Sequence, residues 1–419
     1  MSAQSIDSDP IAADGDQLDL DAAHDHAVAA ALTPSDVGAV GLELEYHLVD
    51  LTDPARVAGW GELGRLVADV PPLPYGSAIT SEPGSQLELS ALPQADIGAA
   101  IAALQADERA LATSLRASGF GLAPIGTDLA RPLRRVTPVS RYAAMEQHFD
   151  ALGCGVPGRQ MMSSTASLQV NLNAGPASGW ADRVAHIHRL GPVLVALSAC
   201  SPLLAGESSG WRSMRQQVWD GLDPARSGPI AAGDPGQSWA SYALAAPVML
   251  VRQRDDGAEA VTRRLSFADW VSGAAGVARA PTRADLDYHL STLFPPVRLR
   301  GYLEIRYLDA VPAQWWPALA TIVTTLIDDD VAADRAAEVC AGLEDAWRVA
   351  ARDGLHDAAL HRAAVSCLDI AARRCLPALR PEVEAYAELV ARGRTPGDEL
   401  RETAGRRGPL YALREVADA

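Results

Sequence analysis

Four short segments of this chain alternate polar and apolar residues, the pattern of a β-strand with one buried face. The polar faces carry carboxylate, amide and guanidinium groups: Glu43 and Glu45; Gln86, Glu88 and Ser90; Gln169, Asn171 and Asn173; and Arg298, Arg300, Tyr302, Glu304 and Arg306. Glu is depleted in strands, so carboxylates that recur on strand faces call for a functional explanation. An oxygen-rich sheet face suits hard cations such as Mg²⁺.

Glu43 and Glu45 lie about 6.5–7 Å apart along one strand face, so both can reach one metal ion or two neighbouring ions. Glu304 is followed by Arg306 on the same face, with Arg298 and Arg300 upstream. A carboxylate flanked by arginines suits phosphoryl transfer, because the guanidinium groups bind phosphate oxygens and stabilise charge. The simpler interpretation of Glu43 and Glu45 is that they lie on the polar outer face of an edge strand. The simpler interpretation of Glu304 and its arginines is a surface ion-pair ladder.

The segment 213–228 combines Arg215, Trp219 and Arg226. Arginines near an aromatic ring are suited to binding an α-carboxylate or a planar ligand. Gln169 and Asn171 could orient a ligand without adding charge. The segment 213–228 could equally be an ordinary helix followed by a turn. Gln169 and Asn171 could equally belong to a strand face that only contacts solvent.

Composition excludes several classes of function. The chain contains no lysine, which rules out a P-loop and a Schiff-base lysine, so any bound nucleotide must be neutralised by metal and arginine. The formal net charge of −17 argues against duplex nucleic acid as a partner. Five scattered cysteines without a Cys-x-x-Cys pair indicate buried free thiols in a reducing compartment.

The chain divides into an acidic leader and a larger folded part. Residues 1–34 are rich in Asp and Ala, which predicts a mobile acidic tail. Residues 35–419 are predicted to form one catalytic domain, with a sheet core over about 38–312 and helices over about 313–395. This order of elements is typical of the α+β class. The N-terminus lacks a signal-peptide pattern and no apolar run is long enough for a bilayer, so we predict a cytoplasmic protein without a membrane partner.

Taken together and in order, five segments of the chain resemble the glutamate–cysteine ligase family, in the branch of the plant-type enzymes and the actinobacterial ligase of ergothioneine biosynthesis. The segments are Gly41–Glu45, Glu82–Ser90, Met161–Asn171, Trp219–Gly228 and His289–Asp309. The resemblance covers roughly residues 40–310.

The resemblance implies a glutamine-synthetase-like core, in which a curved, largely antiparallel sheet has helices on one face and holds ATP and Mg²⁺. It implies metal binding by Glu43, Glu45, Glu88 and Glu304, and catalytic roles for Glu304, Arg306 and Arg300. Gln169, Arg298 and Arg306 are then expected to bind ATP. The substrate candidates are Arg215, Trp219, Arg226, Gln86 and Asn171.

The reaction implied is the joining of L-glutamate and L-cysteine to γ-glutamylcysteine, with ATP converted to ADP and phosphate. In this mechanism the γ-carboxylate of glutamate becomes an acyl phosphate, which the cysteine amine then attacks. Two alternatives stay open. One is a carboxylate–amine ligase with another acceptor, and the other is a non-catalytic relative that binds Mg-ATP. The sequence does not indicate the oligomeric state.

Overall fold

A seven-stranded antiparallel sheet forms the centre of a computed structural model, which describes residues 18–253, 257–274 and 276–419. The strands of the chain are β1 (Val40–Asp50), β2 (Ala78–Ser81), β3 (Gln86–Ser90), β4 (Phe120–Ala123), β5 (Ser167–Leu172), β6 (Leu203–Leu204), β7 (Glu207–Ser208), β8 (Leu250–Arg252), β9 (Ala258–Ala260), β10 (Val297–Leu299) and β11 (Leu303–Asp309). The central sheet has the order β10-β11-β5-β1-β3-β2, and β4 pairs with the second half of β1. The predicted α+β class and antiparallel sheet are confirmed.

Helices precede, connect and follow the strands. They are α1 (Leu20–Ala31), α2 (Trp60–Ala68), α3 (Ile97–Ala117), α4 (Ser140–Ala151), α5 (Gly155–Ser164), α6 (Trp180–Ser198), α7 (Met214–Asp220), α8 (Pro224–Ser227), α9 (Pro235–Ala245), α10 (Phe267–Val271), α11 (Arg283–Leu290), α12 (Trp316–Asp328), α13 (Asp330–Cys340), α14 (Trp347–Asp353), α15 (Ala358–Arg374), α16 (Arg380–Ala391), α17 (Pro396–Arg407) and α18 (Pro409–Asp418). Helices α3, α6 and α12 pack against the apolar side of the sheet. Among the described residues, no helix has both the length and the apolar composition of a membrane span.

Strand register gathers the polar side chains on one face of the sheet. Glu43 is paired with Gln169 of β5, and Glu45 with Glu88 of β3. Asn171 of β5 is paired in turn with Glu304 of β11. Residues that lie opposite each other point to the same face, so polar residues far apart in sequence become neighbours.

The opposite face of the sheet belongs to a hydrophobic core that continues into the C-terminal helices. Leu44 and Val170 of the sheet and Leu319 and Leu368 of α12 and α15 all lie in this core. The assignment of residues 35–419 to one domain stays a prediction. The helical part extends past residue 395, because α17 and α18 follow and α18 packs against β4.

The segment 298–306 is a hairpin and not the single strand that its alternation suggested. β10 and β11 run antiparallel, with Arg298 directly opposite Glu304. Gly301 makes the connection possible with φ of +77°, a conformation that residues with a Cβ rarely adopt. A β-bulge between Ile305 and Leu308 then shifts the phase of β11, so alternation alone misplaces part of its length.

The expected mobile tail over residues 1–34 is wrong for its second half, and residues 1–17 lie outside the described residues. Asp19 caps α1 by accepting a hydrogen bond from the amide of Ala22. Ala23, Ala27 and Ala31 recur every four residues and are fully buried, since small side chains let α1 pack closely against α9. The composition concealed a helix whose buried stripe is made of alanine.

Candidate active site

Glu45 lies at the middle of the polar face and is held by β5. Its two oxygens accept hydrogen bonds from the Ser167 amide at 2.8 Å, the Ser167 hydroxyl at 2.9 Å and the Gln169 amide nitrogen at 3.1 Å. Burial raises the pKa of Glu45, although the charge of Arg215 and the bonds from Ser167 oppose that shift. These donors fix the orientation of the carboxylate, which is a condition for a precise ligand site.

Glu43 and Glu88 form a crowded carboxylate pair beside Glu45. Glu43 accepts from Asn171 Nδ2 at 2.8 Å, and Glu88 accepts from Thr80 Oγ1 at 2.7 Å. Burial, with the nearby charges of Glu88 and Glu304, raises the pKa of Glu43 well above its usual value. Burial and neighbouring carboxylates raise the pKa of Glu88 to about 7. Packing several carboxylates together away from water therefore favours their protonated forms.

Glu82 is a further carboxylate of this group that the strand pattern missed. It lies in the turn between β2 and β3, where alternation does not apply. Ser85 of that turn has φ of +76°, an uncommon conformation for a residue other than glycine. Burial and the charge of Glu45 raise the pKa of Glu82 to about 7. The Pro83-Gly84 pair was the available signal, since it marks a tight turn directly after the carboxylate.

Glu304 is surrounded by arginines and differs from the other carboxylates. Arg298 donates through Nη2 at 2.8 Å and also through Nε, while Arg306 Nη1 lies 3.2 Å from the same carboxylate. Burial alone would raise the pKa of Glu304, but Arg298 and Arg306 outweigh it and lower the pKa to about 2. Arg306 Nη1 also donates to Gln169 Oε1 at 2.8 Å, which connects β11 to the Glu45 network.

Arg215 and Trp219 line a cavity of about 290 Å³ next to β11. Other walls are formed by Phe294, Tyr307 and Trp347, and Arg306 also lines the cavity. Arg215 donates to the carbonyl of Arg306 at 2.8 Å, while its Nε and Nη1 are buried without a hydrogen-bond partner among the described residues. A largely apolar pocket whose lining includes a partly unsatisfied guanidinium is suited to a small anionic molecule.

Asp309 positions Arg215 and was absent from the predicted site residues. Its buried carboxylate accepts from the Cys200 amide at 2.9 Å, the Ser201 hydroxyl at 2.6 Å and the Ser213 hydroxyl at 2.8 Å. Ser213 in turn caps α7, the helix that carries Arg215. The β11 bulge turns Asp309 toward this network, which explains why a period of two could not locate it.

Three residues predicted to act on substrate or phosphate have other surroundings. Arg226 is fully buried and donates to Pro247 O and to the carbonyl and hydroxyl of Thr292, so it holds loops together. The side-chain amide of Gln86 is fully engaged within the protein, because its oxygen accepts from the Gly84 amide and its nitrogen donates to the Thr165 carbonyl. Arg300 lies in the hairpin turn with its side chain 54% exposed, 3.7 Å from Glu304.

Mg²⁺ binding at this face stays a prediction. Among the described residues, no group of three or more His, Cys, Asp or Glu side chains is arranged to hold a metal ion. Glu43, Glu45 and Glu88 nevertheless present oxygen ligands, and Asn171 Oδ1 is buried without a hydrogen-bond partner. Mg²⁺ prefers oxygen ligands and keeps several waters, so a few carboxylates together with substrate phosphates suffice. Metal binding by Glu304 remains a prediction, since Arg298 already uses both of its oxygens.

Comparisons with known proteins agree with the resemblance found in the sequence. The chain is 50% identical over 396 residues to the glutamate–cysteine ligase EgtA of Mycolicibacterium smegmatis, covering 94% of this chain and 93% of the relative. It is 47% identical over 406 residues to EgtA of Mycobacterium tuberculosis H37Rv, covering 96% and 94%. The chloroplastic glutamate–cysteine ligase of Nicotiana tabacum is 29% identical over 262 residues, covering 61% of this chain and 49% of the relative.

Solved structures confirm the fold. A glutamate–cysteine ligase of Francisella tularensis, solved in complex with AMP, superposes with a TM-score of 0.57 at 14% identity, covering 92% of this chain and 88% of the other. The family model described as Glutamate-cysteine ligase family 2(GCS2) matches residues 39–417. With a match of that extent and relatives that align along nearly their whole length, the chain belongs to glutamate–cysteine ligase family 2.

Proposed function

We propose that this protein joins the γ-carboxylate of L-glutamate to the amine of L-cysteine at the expense of ATP. The observation that carries the proposal is the meeting of three features: the crowded carboxylates around Glu43 and Glu88, the Arg298–Glu304–Arg306 cluster, and the adjoining cavity with the unsatisfied Arg215. The first suits metal ions, the second suits a phosphoryl group and the third suits an amino acid. The mycobacterial relatives carry the name glutamate–cysteine ligase EgtA, which supports the choice of substrates.

Glu43, Glu45 and Glu88 would hold Mg²⁺, which when bound neutralises phosphate charge and orients the terminal phosphoryl group. Arg306 is connected to this cluster through Gln169, and its Nε is buried without a hydrogen-bond partner among the described residues. It is therefore placed to donate to oxygens of the transferred phosphoryl group. Glu304, ionised and held by Arg298, keeps Arg306 oriented.

The cavity beside β11 would hold the amino-acid substrate. Arg215 would bind an α-carboxylate, and Trp219, whose ring centroid lies 5.7 Å from the Arg215 guanidinium carbon, would pack against the substrate and help exclude water. The γ-carboxylate of glutamate attacks the terminal phosphoryl group of ATP, giving γ-glutamyl phosphate and ADP. The amine of cysteine then attacks the acyl carbon and releases phosphate, which balances the reaction without a covalent enzyme intermediate.

We further place the product in ergothioneine biosynthesis and the protein in the cytoplasm. The name EgtA of the mycobacterial relatives supports the pathway. Gene deletion with measurement of cellular ergothioneine tests the pathway assignment independently of the chemistry. An unchanged ergothioneine level in the deletion strain would contradict it.

A product assay tests the reaction directly. Purified protein is incubated with ATP, Mg²⁺ and glutamate together with cysteine, serine, alanine or 2-aminobutyrate, and both ADP and the peptide product are measured. The proposal expects γ-glutamylcysteine in amounts equal to ADP, with cysteine as the preferred acceptor. Preference for another amine would support the ligase with a different acceptor. Binding of Mg-ATP without turnover of any amine would support the non-catalytic alternative.

A further inference from the structure

The cavity beside β11 has three charged residues in its wall, and two of them are cations. Arg215 and Arg306 are the cations, and Asp220 is the one carboxylate among the described residues that line it. The rest of the lining is uncharged and includes the rings of Trp219 and Phe294. A ligand whose charges complement this wall therefore carries two negative groups and one positive group.

Helix α7 carries a cation and a carboxylate to the same cavity. Arg215 is the second residue of the helix and Asp220 is the last, so their backbone positions differ by about 7.5 Å along the helix axis. Both line the cavity, and neither takes part in an ion pair with another described residue. One helix therefore offers both charges to a ligand without pairing them to each other.

Both side chains keep polar atoms free for a ligand. Arg215 Nη2 donates to the carbonyl of Arg306, while Nε and Nη1 are buried without a partner among the described residues. Asp220 Oδ1 accepts from Gln216 Nε2 at 3.1 Å, which holds the carboxylate in place, and Oδ2 accepts from none of the described residues. Asp220 is exposed and Arg215 is buried, so the carboxylate lies at the solvent side of the cavity. A ligand carboxylate would remove the cost of the unsatisfied guanidinium.

Arg306 connects the cavity to the carboxylate face of the sheet. It lines the cavity, and its Nη1 also donates to Gln169 Oε1 at 2.8 Å on that face. Its Nε is buried without a hydrogen-bond partner among the described residues. An acidic group of a ligand at this end of the cavity would therefore lie next to the face where the proposed function places the phosphoryl group.

Of the two amino acids in the proposed reaction, glutamate complements this wall. Glutamate carries two carboxylates and one ammonium, whereas cysteine carries one of each. The α-ammonium of glutamate takes no part in the reaction and can stay charged in an ion pair. The amine of cysteine must attack as the free base, and a carboxylate partner would favour its protonated form. A cavity that contains a carboxylate beside two cations is therefore better suited to glutamate.

We propose that this cavity is the glutamate site and that Asp220 binds the α-ammonium, while Arg215 binds the α-carboxylate and Arg306 receives the γ-carboxylate. The inference rests on the proposed function and adds Asp220, which no strand pattern indicated. Holding both α-groups on one helix directs the γ-carboxylate toward the phosphoryl group. Because the α-ammonium is remote from the reacting carboxylate, Asp220 acts on the binding of glutamate and not on the chemical step.

Removing the charge from Asp220 and the ammonium from the substrate tests this contact from both sides. The full-length protein is assayed with ATP, Mg²⁺, cysteine and glutamate, and glutarate, which is glutamate without its α-amine, is added as a competitor. Asp220→Asn is expected to raise the KM for glutamate by about fivefold to thirtyfold with kcat within about twofold. The KI of glutarate and the KM values for ATP and cysteine should stay within about twofold. Asp220→Glu should recover part of the affinity because it keeps the carboxylate.

Asp345→Asn is the matched control. It removes an equal charge from an exposed position two residues before Trp347, outside the lining of the cavity. It should leave all of these constants unchanged. If it raises the KM for glutamate as much as Asp220→Asn does, the effect comes from long-range charge and the inference is overturned. Thermal unfolding of each variant identifies a folding defect, and if Asp220→Asn does not fold, the comparison of glutamate with glutarate in Asp220→Ser decides.

Other outcomes also overturn the inference. Equal losses for glutamate and glutarate would mean that Asp220 does not hold the ammonium. An unchanged KM for glutamate with a raised KM for cysteine would mean that the cavity takes the acceptor. If the wild-type protein forms no γ-glutamylcysteine, the proposed function fails as well. If the wild-type protein forms it and Asp220→Asn keeps the wild-type preference for glutamate over glutarate, only the inference fails.

Discussion

Arg298 of β10 lies directly opposite Glu304 of β11, and its guanidinium donates to both oxygens of that carboxylate. Both side chains are buried, and Glu304 is only 1% exposed. This pair results from the hairpin register and could not arise in a continuous strand, where the two residues would be about 20 Å apart. The arrangement keeps Glu304 ionised and gives Arg306 a fixed neighbour.

Replacing Glu304 should destabilise the protein as well as inactivate it. Glu304→Gln leaves Arg298 buried without its counter-ion, and removing one partner of a buried ion pair costs about 3–5 kcal/mol. The free energy of unfolding, measured by urea denaturation, should fall accordingly, and ADP release should be lost. The double variant Arg298→Met with Glu304→Leu is the control, because it removes both charges and should recover much of the stability without activity. If Glu304→Gln alone were as stable as the wild-type protein, the prediction would be contradicted.

The carboxylate cluster should make the metal-free protein sensitive to pH. The pKa of Glu88 is about 7 in the folded protein, against 4.5 as its ordinary value. The folded state therefore binds more protons than the unfolded state between about pH 4.5 and pH 7, and the contribution of Glu88 to stability is lost as pH rises through that range. Glu82 acts in the same direction, since its pKa is also about 7.

Buried histidines have the opposite effect on the pH dependence of stability. The contribution of Glu88 must therefore be measured as the difference in unfolding free energy between a variant and wild type. Burial lowers the pKa of His47 and His148 to about 4 and that of His289 to about 3, which makes the protein more stable as pH rises through their range. We expect Glu88→Gln to gain stability relative to wild type from pH 5 to pH 8 when EDTA is present. Saturating Mg²⁺ should reduce this gain. A stability difference that is constant over this range would contradict the prediction.

Arg215 and Arg226 should respond differently to the same substitution. Arg226→Lys loses a buried fork of hydrogen bonds to Thr292 and Pro247 and should lower the free energy of unfolding by about 3 kcal/mol, with little change in KM. Arg215→Lys should instead raise the KM for an amino-acid substrate, because Lys cannot form bidentate bonds to a carboxylate. Steady-state kinetics and urea denaturation of both variants separate the two roles. A larger KM effect from Arg226→Lys would reverse the assignment.

Helix α1 should contribute to stability. Ala27 is fully buried against neighbouring helices, and Ala27→Glu would bury an unpaired charge. We expect the free energy of unfolding to fall by at least about 2 kcal/mol, or the start of the chain to detach and become protease-sensitive. Ala29 is exposed on the same helix, so Ala29→Glu is the matched control and should have little effect. Equal stability of the two variants would indicate that the packing of α1 does not contribute to the stability of the protein.

The alternation of polar and apolar residues was sufficient to find candidate site residues where the strands are regular. It identified Glu43 and Glu45 on β1 and Gln169 and Asn171 on β5, and the structure brings these four side chains into direct hydrogen bonds. It failed for Glu82 in a turn and for Asp309 beyond a bulge, because each interrupts the regular alternation of side chains. Composition likewise concealed α1, since an Ala-rich acidic segment resembles a solvated tail until a partner surface is known.

The sequence by itself determined which chemistry is available: oxygen ligands on strand faces, arginine in place of lysine, and a pocket that contains Arg215 and Trp219. Tertiary structure decided which of these groups act together. It turned Arg298 back onto Glu304 and committed Arg226 to holding loops together. The physical reason is that charge pairing and burial depend on distances between segments far apart in the chain, which register, turns and bulges set.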